Sequence, residues 1–386
     1  MKVIRVRNIN DITDLREEWN NLLSLNATDS IFLTFEYVFH WYDHYCNTES
    51  TYLLLAFSDD ERLIGVAPLY VQAEGGFLIQ RRVLKFAGSN AACAEYLDFV
   101  VQQGNEEQVL NELFDYIWIR RQHWDRVMLT DLQQGSNVIV HMGQTGTRLT
   151  PTIRDNRMCL CTKLPRTWTE FEATLGKKFL KKVRYYERRL SREGSCHIGV
   201  FKDVEEGMAD LYRVHQQRWG ERGIYGSFTS NTARNFNLAL AKELQQAGYL
   251  RLYYLMYDGV VAAVLYCFLY NKRLYFYNGG FDPKYAKYNV STVLIKRSIE
   301  DAIDSKCAEY DFLRGRSPYK YDWGARGRTQ FSWTIDRLTI PNVCINMIQA
   351  ASAVANEAVA RSVPATLRVR LGAEIRRLKS RSRLHE

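Results

Sequence analysis

The order of predicted secondary-structure elements repeats once along this chain. A hairpin signal, a third strand, a loop, an amphipathic helix and a buried strand follow one another over residues 52–130, and the same order returns over residues 253–313. The second hairpin turns at Asp258-Gly259, which is the strongest two-residue hairpin signal. Because a repeated order of elements indicates a duplicated unit, the chain is predicted to be an α/β protein with two tandem domains. Each domain is expected to be a mixed sheet with flanking helices.

The length of the chain is sufficient for this arrangement. A chain of 386 residues is longer than a typical domain with a single hydrophobic core, and this length suits two domains with a tail. The first domain is predicted over residues 1–155 and the second over 156–342, with a helical insertion at 165–248. Residues 343–386 are predicted to form a basic helical tail. The stretch 165–250 is expected to be helical, with the basic helix and a second helix at Val204–Trp219, and two strands are expected near 329–337.

Positive charge is concentrated in two segments. The net charge is +9, and Lys177–Arg192 and Arg361–Glu386 contribute +7 and +6, which leaves about −4 elsewhere. Such local basicity predicts two surfaces that face anions. Cations recur around the whole of the helix predicted at Lys177–Arg192, so no single stripe is expected there. This helix either binds a carrier protein, a polyanionic glycan or RNA, or is a solvated helix over the domain junction.

The hydrophobic segments do not indicate a membrane span. The longest apolar run, Val260–Tyr270, is too short to cross a bilayer, and the N-terminus lacks the apolar region of a signal peptide. We therefore expect a cytoplasmic protein. The tail Pro364–Glu386 can form a basic amphipathic helix, which either packs on the protein or lies peripherally on the inner membrane surface.

Several reaction classes are disfavoured by the sequence. The eight cysteines contain no C-x-x-C pair, which predicts reduced structural cysteines and no metal site. The chain also lacks the G-x-S-x-G, Walker and H-E-x-x-H patterns, so a serine hydrolase, a P-loop NTPase and a zincin are disfavoured. Direct group transfer, which needs neither a metal nor a covalent intermediate, remains.

A set of short motifs in this order resembles a known family. The chain is similar to the GNAT acetyltransferase superfamily, in the branch related to the Fem peptidoglycan peptidyltransferases that includes the BioF2-like, cellulose-biosynthesis CelD-type acetyltransferases. The resemblance covers roughly residues 1–340. The motifs that carry it include Gly65–Leu69, Glu95–Phe99, His215–Trp219, Gly280–Pro283 and Asp311–Gly315.

The resemblance implies an enzyme with two tandem acetyltransferase-like domains. It implies transfer of an acyl group from a thioester, either acyl-CoA or acyl-carrier protein, to an amino group on a sugar or an amino-acid-derived acceptor, with no tightly bound cofactor. Polysaccharide or cell-envelope biosynthesis is the implied setting. Two alternatives stay open, namely a Fem-type transferase that uses aminoacyl-tRNA and a binding protein without catalytic activity. We do not expect a nucleic acid partner.

A polar segment before the second crossover helix is the predicted donor site. Backbone N–H groups at a helix N-terminus favour phosphate groups, and nearby lysines would add charge. The sequence departs from the family at Asn289-Val290-Ser291, where a glycine-containing loop is usual, and Val290 does not easily adopt a positive φ. The residues predicted to bind the donor or substrate are Arg218, Trp219, Asp282, Lys284, Tyr285, Lys287, Tyr288, Arg314 and Lys320.

Three residues are predicted to take part in catalysis. His215 lies on one helix face with Trp219 and has an ordinary pKa near 6.5, so it suits the removal of a proton from an attacking ammonium. Asp311 ends a buried strand and is a second candidate base, while Tyr319 is a candidate acid for the leaving thiolate. The alternatives are a hydrogen-bonded core histidine at His215 and an ion pair between Asp311 and Arg314 that holds the strand end.

Overall fold

The computed structural model describes residues 1–89, 92–144, 152–220 and 226–362. Strands in these ranges alternate with helices along the chain. The strands are β1 Lys2–Val6, β2 Thr51–Phe57, β3 Leu63–Gly75, β4 Gln80–Phe86, β5 Val100–Val101, β6 Arg126–Leu132, β7 Thr152–Lys163, β8 Cys196–Val200, β9 Leu250–Tyr257, β10 Val260–Tyr270, β11 Arg273–Phe281, β12 Glu309–Arg314 and β13 Arg326–Asp336.

Eleven α-helices occur in the same ranges. Most of them pack on the sheet, and the last follows the final strand. They are α1 Arg16–Ser24, α2 Phe35–Tyr45, α3 Glu106–Ile119, α4 Asn137–Gln144, α5 Trp168–Thr174, α6 Lys177–Glu193, α7 Val204–Gly220, α8 Asn231–Gln246, α9 Val290–Asp304, α10 Pro318–Asp322 and α11 Ile340–Ser362. Short 3₁₀ helices occur at Ile9–Leu15, Ile31–Leu33, Arg121–His123 and Pro283–Tyr288.

The two halves of the chain share one topology. In the first half β2, β3 and β4 are antiparallel neighbours, and α3 crosses over to β6, which pairs parallel to β4. In the second half β9, β10 and β11 are antiparallel neighbours, and α9 crosses over to β12, which pairs parallel to β11. The prediction of an α/β fold with two tandem domains and a C-terminal helical segment is therefore confirmed.

The sheets of the two halves are continuous. All thirteen strands of the described residues belong to one sheet in the order β1-β2-β3-β4-β6-β13-β7-β12-β11-β10-β9-β8, with β5 paired to β3. The long strands β7 and β13 pair with each other, and they join β12 on one side to β6 on the other. The predicted domain limits at residues 155 and 342 stay predictions, and β7 runs across the first of them.

Two predictions of secondary structure were wrong. The stretch 165–250 is not helical throughout, because β8 adds an edge strand to β9 there; five residues are too few to show a clear period of two. The two strands expected near 329–337 are a single strand, β13. Its pairing with β7 shifts register between Gln330 and Phe331, but the extra residue lies on β7, so β13 itself continues without a break.

Helices cover both faces of the second half of the sheet. Helices α7 and α8 pack on one face, where their apolar side chains form a core together with the first half. Helices α9 and α6 lie on the opposite face around a separate hydrophobic core. The edge of β11 beside β12 therefore lies between two helical layers, one shared with the first half and one belonging to the second half.

Helix α11 returns to the first half of the chain. Arg81 on β4 donates to the Asn346 side chain over 2.7 Å and to that of Asn342 over 3.2 Å. The amphipathic helix predicted over Pro364–Glu386 lies outside the described residues. Among the residues that are described, no helix is long and apolar enough to cross a membrane.

Candidate functional site

A cleft opens where β11 and β12 diverge. Their parallel pairing covers Arg273–Tyr275 with Glu309–Asp311 and ends there, although β11 continues to Phe281. A register shift against β10 makes Tyr277 the extra residue of a bulge on β11, and such a bulge disrupts the strand ladder locally. Backbone groups beyond Tyr275 on this edge of β11 are thus available to a bound molecule between the two strands.

The segment from Asp282 to α9 lies at the open end of this cleft, directly after β11. Buried Asp282 caps the 3₁₀ helix by accepting from the Lys284 N–H over 3.0 Å. Asn289 takes the left-handed conformation with φ +52°, a region that Asn tolerates better than most residues. The left-handed conformation that a glycine-containing loop would allow is therefore adopted here by Asn289 and not by Val290.

The first turn of α9 presents hydrogen-bond donors to this end of the cleft. The N–H groups of Thr292 and Val293 both donate to the Asn289 carbonyl, over 2.9 and 3.3 Å. This leaves the N–H groups of Val290 and Ser291 without an intrahelical acceptor. Together with the positive end of the helix dipole, these two groups form an arrangement that suits a phosphate.

The four residues predicted beside this helix end separate into two pairs. Lys284 and Lys287 are exposed. Tyr288 is buried, with its ring 4.9 Å from that of Tyr257, and Tyr285 packs on the same Tyr257 ring at 5.8 Å. The lysines are therefore open to solvent, with the Lys287 ammonium 4.8 Å from the centre of the Tyr288 ring, whereas the tyrosines hold the 3₁₀ helix against the second core.

Arg189 of α6 joins this group, and the sequence analysis did not single it out. Its guanidinium lies 5.0 Å from the centre of the Tyr288 ring and donates to the Lys287 carbonyl over 3.2 Å. The basic helix thus contacts the predicted donor loop directly. The signal in the sequence was the helix itself, but only its packing shows which arginine reaches the loop.

His215 lies on the side of α7 that packs on β11. The backbone of α7 approaches so closely that a Cβ built on Gly280 would lie 2.6 Å from the His215 nitrogen. The imidazole is 4.9 Å from the Phe228 ring. Burial, with a smaller effect of the nearby Arg218 charge, lowers the pKa of His215 to about 4. The side chain is consequently neutral near pH 7.

Arg218, one turn after His215, lies between the end of β11 and α10. Its guanidinium is 5.1 Å from the centre of the Phe281 ring. Burial raises the pKa of Tyr319 on α10 to about 12, and the charge of Arg218 acts in the opposite direction. The predicted residues His215, Arg218 and Tyr319 are thus grouped near the open end of the cleft. Trp219 follows Arg218 on the α7 backbone.

Asp311 lies at the closed end of the cleft, where β11 and β12 are still paired. Its carboxylate is fully buried and accepts from the Tyr96 hydroxyl over 2.5 Å and from the Leu313 N–H over 2.7 Å. Burial raises the pKa of Asp311 to about 6, while these two hydrogen bonds act against the shift. The alternative of an ion pair between Asp311 and Arg314 is wrong, because Arg314 turns to Glu95 and the guanidinium that lies 3.6 Å from Asp311 is that of Arg328.

Arg314 joins the two halves of the chain. It forms an ion pair with the buried Glu95 and donates to the Ala94 carbonyl over 2.7 Å. A second buried carboxylate of the first half, Asp131, lies 4.0 Å from the same guanidinium and 3.5 Å from that of Arg157. Burial raises the pKa of Glu95 to about 7, against the effect of the Arg314 charge.

Lys320 holds the end of β12 in place. Its ammonium donates to the carbonyls of Phe312, Leu313 and Arg314 over 2.8, 3.2 and 2.6 Å. Leu313 has φ +55°, which is strained for a residue with a side chain, and Lys320 satisfies the carbonyls of this irregular strand end. Burial lowers the pKa of Lys320 to about 8.

The structure does not bring the two predicted bases together. His215 packs beside Gly280, whereas Asp311 pairs with Tyr275. Five residues separate these positions on β11, or about 16 Å along an extended strand. His215 and Asp311 therefore serve different sections of the cleft.

The first half supplies polar residues that the sequence analysis did not assign to the site. Glu95, Tyr96 and Asp131 are all fully buried against Asp311 and Arg314. Glu95 and Tyr96 belong to a motif noted for the family resemblance, but nothing in the sequence pairs them with a strand more than 200 residues away.

The splayed parallel strands, the bulge and the open helix N-terminus all occur within one segment that matches a known family model. Residues 177–321 match the model described as an acetyltransferase (GNAT) domain. This segment is a GNAT-type acetyltransferase domain. All twelve of the predicted site residues lie inside it, whereas Glu95, Tyr96 and Asp131 lie outside.

Solved structures share the fold over most of this chain. FemX is 11% identical with a TM-score of 0.59, and the match covers 86% of this chain and 97% of FemX. L-PGS from Bacillus licheniformis is 12% identical with a TM-score of 0.52, covering 85% and 94%. A conserved protein of unknown function from Bacteroides thetaiotaomicron is 11% identical with a TM-score of 0.54, covering 83% and 97%. No curated protein matches the sequence. At these identities the likeness concerns the fold, and it extends beyond the GNAT domain to the first half.

Proposed function

We propose that this protein is an N-acyltransferase. It would transfer an acyl group from a thioester, either acyl-CoA or acyl-carrier protein, to an amino group of a sugar or an amino-acid-derived acceptor in polysaccharide or cell-envelope biosynthesis. The observation that carries the proposal is the divergence of β11 and β12 beside the N-terminus of α9. An elongated thioester can lie between these strands with its phosphate groups at Val290 and Ser291.

The donor end of the cleft supplies the charge that such a molecule needs. Lys284 and Lys287 are exposed beside the free N–H groups of α9. Both lysines and the helix end favour anionic phosphate oxygens. The acyl carbonyl would then lie near the bulge at Tyr277, where backbone N–H groups can donate to the developing oxyanion.

Transfer requires one bond to form and one to break. The neutral amine attacks the thioester carbonyl, an N–C bond forms, and the C–S bond breaks as the tetrahedral intermediate collapses. The proton lost by the amine goes to a base, and the departing thiolate takes one proton. His215 is neutral near pH 7 and Asp311 is largely ionised above pH 6, so each is in a state that can accept a proton. Tyr319 is protonated and can supply the proton to sulfur.

The first half contributes to the acceptor end. Tyr96, Glu95 and Asp131 reach the closed end of the cleft and make that end rich in carboxylates. Carboxylates favour a cationic or amino-bearing acceptor over an acidic one. Glu95 and Asp131 are themselves paired with Arg314 and Arg157, so the first half would shape the groove for the acceptor amine more than it charges it.

A second candidate function is aminoacyl transfer from tRNA. It is favoured by the shared fold with FemX over 86% of this chain. In this case the amino acid ester of a tRNA would replace the thioester in the same cleft. Turnover that depends on aminoacyl-tRNA, with RNA affinity that persists at physiological salt, would favour this candidate over the thioester-dependent one.

The proposal is tested by donor titration. Acetyl-CoA and an acetylated carrier protein are titrated against the wild type and the Lys284→Ala/Lys287→Ala variant. We expect the wild type to bind at least one donor and the variant to bind that donor about tenfold more weakly, because two cations beside the phosphates are lost. A matched Lys2→Ala/Lys202→Ala variant removes two exposed lysines elsewhere and should bind like the wild type. A folded wild type that binds neither donor contradicts the proposal.

A further inference from the structure

The exposed side of α6 carries an ordered row of side chains. Lys178, Lys181, Tyr185, Arg188 and Arg192 are all exposed, and their spacing of three and four residues places them on one helix face. We call these five residues the basic stripe. It is about 21 Å long at the rise of an α-helix. The expectation that cations occur on every face of this helix was wrong, because the buried side is apolar, although Lys177, Lys182 and Arg184 are also exposed beside the stripe.

The opposite side of α6 is fixed to the GNAT domain. Val183 and Leu190 are buried in the second core. Glu187 forms an ion pair with Lys296 of α9 over 2.8 Å. The helix is thus held by apolar packing and by charge, and the basic stripe is presented outward on a rigid support.

Most of the charge on the basic stripe is uncompensated. Within the part of the chain that the structure describes, no carboxylate pairs with Lys178, Lys181 or Arg188, whereas Arg192 meets Glu193 at 2.9 Å. Clustered cations that lack acidic neighbours raise the local potential and attract an anionic partner. The partner of this surface should therefore carry a matching row of negative charge.

The basic stripe leads to the donor end of the cleft. Arg189, the neighbour of Arg188 on α6, donates to the Lys287 carbonyl and lies over the Tyr288 ring. A molecule docked on the stripe would thus lie beside the 3₁₀ helix and the N-terminus of α9. That is the end at which the phosphate of a thioester donor enters in the proposed function.

From this continuity we infer that the basic stripe is the docking surface for an acidic carrier protein that delivers the acyl group on a phosphopantetheine arm. The inference rests on the proposed function, since the arm must enter the cleft between β11 and β12. An acidic helix of the carrier would lie along the stripe, and Tyr185 in its middle would provide an apolar contact. The phosphodiester of the arm would meet Lys284, Lys287 and the first turn of α9.

The extent of the charge favours a small acidic protein over RNA. The basic surface is one helix wide: beside the four cations of the stripe, α6 exposes Lys177, Lys182 and Arg184, the last paired with Glu172. Outside the segments 177–192 and 361–386 the chain is about −4 in net charge. Tight RNA binding depends on many phosphate contacts spread over a wide basic surface. An acidic helix of similar length needs only the row that is present.

The test compares donors on the wild type and on charge variants. Acetylated holo-carrier protein of bacterial fatty-acid synthesis, its apo form, acetyl-CoA and bulk tRNA are each titrated by fluorescence anisotropy. The stripe variant is Lys178→Gln/Lys181→Gln/Arg188→Gln. Its control is Lys2→Gln/Arg7→Gln/Arg62→Gln, which removes three exposed cations at the opposite end of the sheet.

We expect the stripe variant to bind the acetylated carrier about tenfold or more weakly than the control and to bind acetyl-CoA as the wild type does. Carrier binding should weaken further between about 50 and about 300 mM salt, because exposed charges are screened. Equal carrier binding by the two variants overturns the inference, and so does a wild type that binds acetyl-CoA but does not bind the carrier. The inference is also overturned if the wild type binds tRNA more tightly than the acetylated carrier and the stripe variant loses this tRNA binding. Binding of no donor at all contradicts the proposed function instead.

Discussion

The Tyr96 hydroxyl donates to the Asp311 carboxylate over 2.5 Å. Both side chains are buried, and they come from opposite halves of the chain. The hydrogen bond therefore joins the first half of the sheet to the closed end of the cleft in the GNAT domain. It also favours the ionised form of Asp311 against the effect of burial.

Substitution of these two residues should separate chemistry from stability. If Asp311 removes the amine proton, Asp311→Asn should lower kcat by about 10²–10⁴-fold while donor binding is kept. Tyr96→Phe keeps the carboxylate and should cost about 1.5–3 kcal/mol of stability at most, because it removes one hydrogen bond to a charged group. Steady-state kinetics with a verified acceptor and thermal unfolding measure the two effects. A fall in melting temperature for Asp311→Asn with near-wild-type kcat would assign it a structural role.

The pH dependence of kcat/KM should identify the base. A carboxylate or imidazole base is inactive when protonated, so the rate falls as the pH drops through the pKa of the base. The acidic limb is expected near pH 6 if Asp311 is the base and near pH 4 if His215 is the base. The limb should disappear in Asp311→Asn in the first case and in His215→Ala in the second. A profile that neither variant alters would leave solvent or Tyr319 as the proton carrier.

Gly280 should be required for the contact between α7 and β11. An added methyl group would lie 2.6 Å from the His215 nitrogen and 2.9 Å from the Val214 carbonyl carbon, which are backbone atoms. Gly280→Ala should therefore lower the free energy of unfolding by about 1–3 kcal/mol and reduce activity by displacing His215. Gly135→Ala, where a methyl group meets nothing within 4 Å, is the matched control for denaturant unfolding. Equal stability of the two variants would contradict the close approach of α7.

The ion pair between Glu95 and Arg314 should contribute more to the free energy of unfolding than an ion pair on the surface. Glu95 is fully buried, and Glu95→Gln leaves the Arg314 charge with the more distant Asp131. We expect a loss of about 2–3 kcal/mol, somewhat less than for a fully buried pair because a quarter of the Arg314 side chain is exposed. Asp60→Asn breaks the exposed pair with Arg62 and should cost less than about 1 kcal/mol. Urea unfolding of both variants measures the difference, and similar losses would contradict it.

The sequence alone determined the order of most elements. It also placed every predicted site residue within the segment that matches the GNAT domain. The hairpin at Asp258-Gly259 and the periods of α3 and α9 arise from preferences of neighbouring residues, and these act within a few positions of the chain. The same local preferences placed Lys284 and Lys287 directly before a helix. The fold class and the position of the polar segment before α9 could therefore be predicted without a structure.

Only the tertiary structure decided which residues meet. Tyr96 and Asp311 are 215 residues apart, and no local pattern states which buried strand end faces which loop. Packing between distant segments also decides three other features. These are the continuity of the sheet through β7 and β13, the side of α6 that faces inward, and the basic stripe on the other side of α6. The physical reason is that backbone preferences are local, whereas burial and pairing of polar side chains are settled when the two halves pack together.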